Sequence, residues 1–164
     1  MRAVTFTEVL IVMIVLSIAL STAVVLMNSV YKNSILSFDR ITLQEELRKI
    51  DAAIRRELLK AGPTIEGLSV EGGSVKFYAI VPFSKQLSGN YASATRLRYE
   101  LVFENGKLEL RISDDAGPVG DPTVIGELED CRFEGEGKLI RYSLTKKRIT
   151  SVRLNSSVVL YNLK

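Results

Sequence analysis

Ala3, Val4 and Glu8, at the head of the chain, carry the clearest chemistry in the sequence. Met1-Arg2-Ala3 is a short basic leader, and Val4-Thr5-Phe6-Thr7-Glu8 follows it. From Val9 to Tyr31 no residue is charged. Glu8 therefore sits at the lip of an apolar run, where a carboxylate is expensive and calls for a partner. A cut after Ala3 would supply one, because the new amine of Val4 is a cation at the same depth. Within one helix, Val4 and Glu8 are four residues apart and share a face. Between packed helices, the amine of one subunit can meet Glu8 of the next. Either pairing neutralises a charge that lipid penalises.

Elsewhere the candidates are few. Ser113–Pro122 is an acidic, turn-rich stretch. Calcium takes several oxygen ligands from such loops, which makes Asp114, Asp115 and Asp121 candidate ligands. Their spacing matches no defined calcium loop, and a solvated loop is the competing reading. No other cofactor is expected. Charge in the last third is segregated. Asp121–Glu136 holds six acids and one Arg, whereas Gly137–Lys164 holds seven Lys or Arg and no acid. One reading is that neighbouring strands pair opposite charges across a sheet. The other is a basic face, led by Lys146, Lys147, Arg148 and Arg153, that docks an acidic neighbour or nucleic acid. Few aromatics accompany the patch, Tyr142 and Tyr161 being the nearest, which argues against nucleic acid.

Catalysis finds little to use. The 164 residues include no His and one Cys. His-based triads, His general bases, an intrachain disulfide and Cys-rich metal sites are excluded. Cys131 lies in a strand-like run and reads as a small core residue. Neither Gly72-Gly73 nor Gly135-Glu136-Gly137 leads into a helix or a Lys-Ser/Thr pair, so there is no phosphate loop. The formal charge of +3 does not mark a general nucleic-acid binder. The expectation is a protein that is not an enzyme.

The elements that position these residues follow from periodicity. Val9–Met27 is nearly all Val, Ile, Leu, Met and Ala. About 20 such residues at 1.5 Å each span a bilayer core of about 30 Å. A cleavable signal ending near Ala19-Leu20-Ser21, a permanent anchor and a leader-type span all compete for it. Arg2 and the initiator amine favour a cytoplasmic N-terminus. Beyond Tyr31 the pattern turns amphipathic. Leu36, Leu43, Leu47, Ile50, Ile54, Leu58 and Ala61 share one side of a helical wheel. Gly62-Pro63 is a stop. One helix from near Thr5 to Ala61 is expected, with a lipid-facing first half and a second half laid on a soluble domain.

From Thr64 onward the period is two. Leu68–Val81 reads as a hairpin turning at Glu71-Gly72-Gly73. A strand holding Leu97, Tyr99, Leu101 and Phe103 turns at Glu104-Asn105-Gly106 into one holding Leu108, Leu110 and Ile112. Shorter strands are expected at 124–127, 130–134, 138–144, 149–154 and 158–163. Residues 135–137 and 145–148 would be connectors. The fold class is α+β: a long N-terminal helix packed on an antiparallel β-sheet domain. The divisions are 1–3, 4–31, 32–62 and 63–164.

Leader, acid position and architecture together resemble the type IV pilin and type II secretion pseudopilin superfamily. In that family a short basic leader ends in a small residue, usually Gly, and the mature chain carries Glu at its fifth position. Ala3 matches the residue before the cut, Val4 the first mature residue and Glu8 the fifth. A cut after Thr5 would instead place Phe6 first and Glu8 third. The helix end Leu43–Gly62, the Arg96–Leu101 strand and the Asn105-Gly106 hairpin look like those of J-type pseudopilins and W-type minor pilins. Glu8 separates the chain from the K-type tip subunit. The resemblance implies cleavage by a prepilin peptidase and N-methylation of Val4. It implies a single span in the inner membrane, N-terminus inside, before entry into a filament. Its implied partners are other pilin-like subunits along the N-terminal helix and an inner-membrane assembly platform. The system served is secretion, a pilus or DNA uptake. A sheet-domain binding module, anchored or secreted and unrelated to pili, is the alternative.

Overall fold

The computed structural model describes residues 5–62, 67–80, 96–114 and 117–162. One helix, α1 (Phe6–Leu58), opens the chain. Among the described residues nine strands follow: β1 (Ser69–Glu71), β2 (Ser74–Ile80), β3 (Arg96–Glu104), β4 (Lys107–Asp114), β5 (Gly117–Pro118), β6 (Thr123–Glu127), β7 (Asp130–Glu136), β8 (Leu139–Lys147) and β9 (Ser151–Val159). The class is α+β, with every strand pairing antiparallel. The chain divides into two compact units, one ending at Asp39 and the other starting at Arg40.

The first unit is the apolar part of α1. No Pro or Gly interrupts Phe6–Asp39, so nothing breaks the backbone ladder. Its large side chains are exposed all round, including Val12, Leu16, Leu20, Val24 and Met27. A helix apolar on every side is built for lipid or for burial among other helices. Leu36, expected on the core stripe, is 42 % exposed and belongs to this unit.

The second unit lays the last turns of α1 on two sheets. Leu43, Leu47, Ile50, Ile54 and Leu58 recur at spacings of three and four, and all are buried. Leu47, Ile50, Ile54 and Leu58 share one core with Val75, Phe77 and Ala79 of β2, Leu108 and Leu110 of β4, and Ile140, Tyr142 and Leu144 of β8. Those strand residues alternate, as one buried face of a sheet requires. The helix stops at Leu58, one turn before the expected Ala61. Ala61 instead bridges Ala79, and the Gly62 amide donates to the Tyr78 carbonyl.

The single sheet anticipated from sequence is two. Strands run β1-β2-β3-β4-β5 in the first, with β6 also on β4, and β7-β8-β9 in the second. Asn105 and Gly106 both have positive φ, 52° and 77°. That is the backbone of a two-residue hairpin turn, and it pairs Glu104 with Lys107. The expected strands at 149–154 and 158–163 are one strand, β9. Polar Ser156 points inward there without breaking it, because the Arg55 guanidinium donates to its hydroxyl. β7 runs through Glu136 and β8 through Lys147, so both anticipated connectors are largely strand. β5, in the acidic loop, was not anticipated.

Gly126 of β6 lets α1 approach closely. A Cβ there would lie 2.5 Å from Ile50 Cδ1 and 2.7 Å from Cγ1. That separation is far inside van der Waals contact.

Candidate functional site

Ala3 and Val4 lie outside the described residues. The helix start beside them is described. Thr5 is the N-cap, its carbonyl accepting from the Glu8 and Val9 amides at 3.0 and 3.3 Å. Glu8 reaches back, and the Thr5 amide donates to its Oε2 at 2.9 Å. This is the acidic half of a capping box, with a carboxylate at the positive end of the helix dipole. Thr5-x-x-Glu8 is its signature. The sequence reading passed over it by treating Glu8 only as a charge in search of an ammonium.

The apolar run that follows has five hydroxyl or amide side chains before Tyr31 other than the first turn's: Ser17, Ser21, Thr22, Asn28 and Ser29. Ser17 donates to the Met13 carbonyl at 2.8 Å. Ser21 and Thr22 both donate to the Ile18 carbonyl at 2.9 Å. Hydroxyls satisfied within their own helix do not need water, which is the condition for polar groups in a bilayer core. The helix is long and apolar enough to cross a membrane once.

The other candidate sites rearrange. Asp114 Oδ1 accepts from the Gly117 amide at 3.0 Å, closing the turn between β4 and β5. Asp115 lies outside the described residues, and Asp121 is exposed. Among the described residues no three His, Cys, Asp or Glu side chains are grouped to hold a metal.

Two of the four expected cations, Lys146 and Arg148, turn to one carboxylate of α1. Lys146 Nζ sits 2.8 Å from Glu46 Oε2, and Arg148 is 3.2 Å from Oε1. The Lys146 bond first, and then the charges of both cations, hold the Glu46 carboxyl below its ordinary value despite desolvation. Arg153 lies elsewhere, on the outer face of the β7-β8-β9 sheet, where it donates to Ser143 Oγ. There it shares a shallow cleft of about 270 Å³ with Arg132 and Arg141. Sequence reading missed these two because they fall in different strands. The alternative of cross-strand charge pairing holds locally: Glu134 faces Arg141 in register, and Arg141 is 3.2 Å from Glu136.

Cys131 is 2 % exposed. Burial, and then the neighbouring Asp130 carboxylate, push its thiol up to about 12. A thiol held neutral is a poor nucleophile.

A polar cluster pins α1 to the second sheet. Tyr142 donates to Asp51 Oδ1 at 2.6 Å, and Arg55 Nε lies 3.0 Å from Oδ2. Burial alone would raise the Asp51 carboxyl, but hydrogen bonds from Tyr142, Ser156 and Arg55 outweigh it and lower the carboxyl. Burial and the same hydrogen bond push the Tyr142 hydroxyl well up.

No family model, curated protein or solved structure matches the chain.

Proposed function

We propose that the chain is a structural subunit of the pilin and pseudopilin kind, a minor subunit anchored by its first helix and assembled into a short filament. The observation that carries this reading is α1 itself. Its apolar run is exposed on every side, with the Ser17, Ser21 and Thr22 hydroxyls closed on the helix backbone, and it begins at Glu8, which caps the first turn. A simple signal peptide has no use for that acid. Such a helix can rest in a bilayer and then exchange lipid for the helices of neighbouring subunits, since both solvents are apolar.

In this reading a prepilin peptidase cuts after Ala3, and the amine of Val4 is methylated. Glu8 caps its own first turn through one oxygen. Its other oxygen has no hydrogen bond among the described residues, and the Val4 amine of a neighbouring subunit would supply a cation for it. A register that left this carboxylate buried and unpaired would cost several kcal/mol, so the pair sets the axial step. The folded β unit contacts other minor subunits and starts or caps the filament.

The test is the N-terminus of the full-length protein recovered from membranes, by intact mass and terminal peptide sequencing, with and without a co-expressed prepilin peptidase. The expected product starts at Val4, depends on the peptidase and carries one extra methyl. A start near Thr22 would mean an exported domain and would sink the filament reading. An intact Met1 in the presence of the peptidase would leave a plain membrane anchor.

A further inference from the structure

We propose that the open edge of β9 is a strand-addition site for an extended acidic segment of another protein. β9 pairs β8 over all nine residues from Ser151 to Val159. Among the described residues no strand pairs its other edge. Natural edge strands are blunted by shortness, proline, a bulge or several charges. β9 has no proline and one charge, Arg153, and its register with β8 is unbroken. An unblunted row of backbone donors and acceptors is a template for an incoming strand.

The flanking side chains select the occupant. β8 and β9 carry Arg141, Lys146, Lys147 and Arg153 and no carboxylate. On the outer face Arg153 joins Arg132 and Arg141 around the shallow cleft, three guanidinium groups against the one carboxylate of Glu134. Toward the helix, Gln44, Leu47 and Arg48 of α1 form a notch of about 100 Å³ with Val152, Arg153 and Leu154. The edge thus has guanidinium groups above and below it and an apolar floor on the helix side. Side chains of an added strand alternate between the two faces. The fitting segment alternates too, with apolar residues toward Val152 and Leu154 and acids toward Arg153.

The sheet already uses this arrangement once, where acidic β7 lies along basic β8. Opposite charges directly across a pair favour it, and like charges oppose it. A second copy's β9 would bring only another cation. A second copy's β7 is acidic, but its edge is partly taken, because the Phe133 amide donates to the Gly72 carbonyl. Nucleic acid fits less well, because Tyr142 is the only aromatic lining either cleft and its side chain is buried.

The test titrates a fluorescein-labelled, acetylated octapeptide of alternating Glu and Val into the full-length protein in detergent micelles. Anisotropy reads binding, and hydrogen exchange by mass spectrometry reads its place. The expected result is binding that weakens with salt and slows exchange across Ser151–Val159. Arg153→Glu should weaken it about tenfold, and Arg48→Glu should act in the same direction. Unchanged exchange in β2–β4 shows that each variant is folded. A Lys-Val octapeptide should not bind. The proposal is overturned by failure of the acidic peptide to bind, by equal binding of the Lys-Val peptide, by full affinity in Arg153→Glu, or by protection confined to other strands. Binding of labelled oligothymidine in place of the peptide overturns it in favour of nucleic acid. The assay does not depend on leader processing, so it and the filament reading can fail separately.

Discussion

Asp51 shows how much one side chain can do at the boundary between helix and sheet. It accepts from Tyr142 in β8 and pairs with Arg55 in its own helix. Arg55 in turn holds Ser156 in β9. Because the folded carboxyl is depressed, its stabilisation is fully present above the ordinary value of 3.8 and is lost as pH falls through the folded value. Asp51→Asn keeps the shape and removes the charge. It should lower the stability of the folded β unit by about 1–2 kcal/mol at neutral pH. The deficit relative to the native chain should shrink below pH 4 in urea melts run across pH 3–7. A deficit constant over that range would mean that shape, not charge, is what Asp51 supplies. Glu8 is the matching case at the other end of α1. Its Thr5-x-x-Glu8 signature was present in the sequence, yet its local role emerged only when the cap geometry was seen.

At the scale of elements, what was legible depended on the range of the interaction. The Asn105-Gly106 turn is local, and its two positive φ values are what Asn-Gly favours, so the β3–β4 hairpin could be read directly. The stripe from Leu43 to Leu58 was legible for the same reason, since a helix face is fixed by nearby spacing. The division into two sheets was not. It follows from β6 returning to β4 and from β7 starting a new sheet, and no pattern within either strand marks those choices. β9 runs on through polar Asn155-Ser156-Ser157, between the two strands expected from sequence, and the group that satisfies Ser156 lies about a hundred residues away in sequence. Gly126 belongs to this long-range class as well. It is small because Ile50 of the helix occupies the space a side chain would take. Gly126→Ala should force Ile50 off its rotamer or push β6 outward, costing about 1–3 kcal/mol. The pairing Ile50→Val with Gly126→Ala removes the nearest atom, Cδ1, and should recover part of that loss in thermal melts. Equal stability of Gly126→Ala and the native chain would show that the contact is loose.

For the whole molecule, the apolar side chains fall into two populations with different solvents. Every buried hydrophobic side chain among the described residues lies at Leu43 or later, whereas Phe6–Val30 is exposed on all sides. The boundary between the compact units, after Asp39, falls between these populations. A hydrophobic core whose buried side chains, among the described residues, all lie at Leu43 or later should not need the residues before Lys32 to fold. The apolar run should need either a bilayer or other helices wherever the chain is placed. The two halves should therefore separate cleanly in experiment. A chain starting at Lys32 should be recovered without detergent and run as a monomer on size exclusion. Its melting temperature should lie within a few degrees of the full-length chain in mild detergent, because deleting exposed residues removes no buried area. The full-length chain should stay with membranes through an alkaline wash that releases peripheral proteins. A truncated chain that aggregates, or that shows no cooperative melt, would mean that the first unit contributes to the fold itself. The assignment of that helix to lipid and neighbouring subunits would then fall.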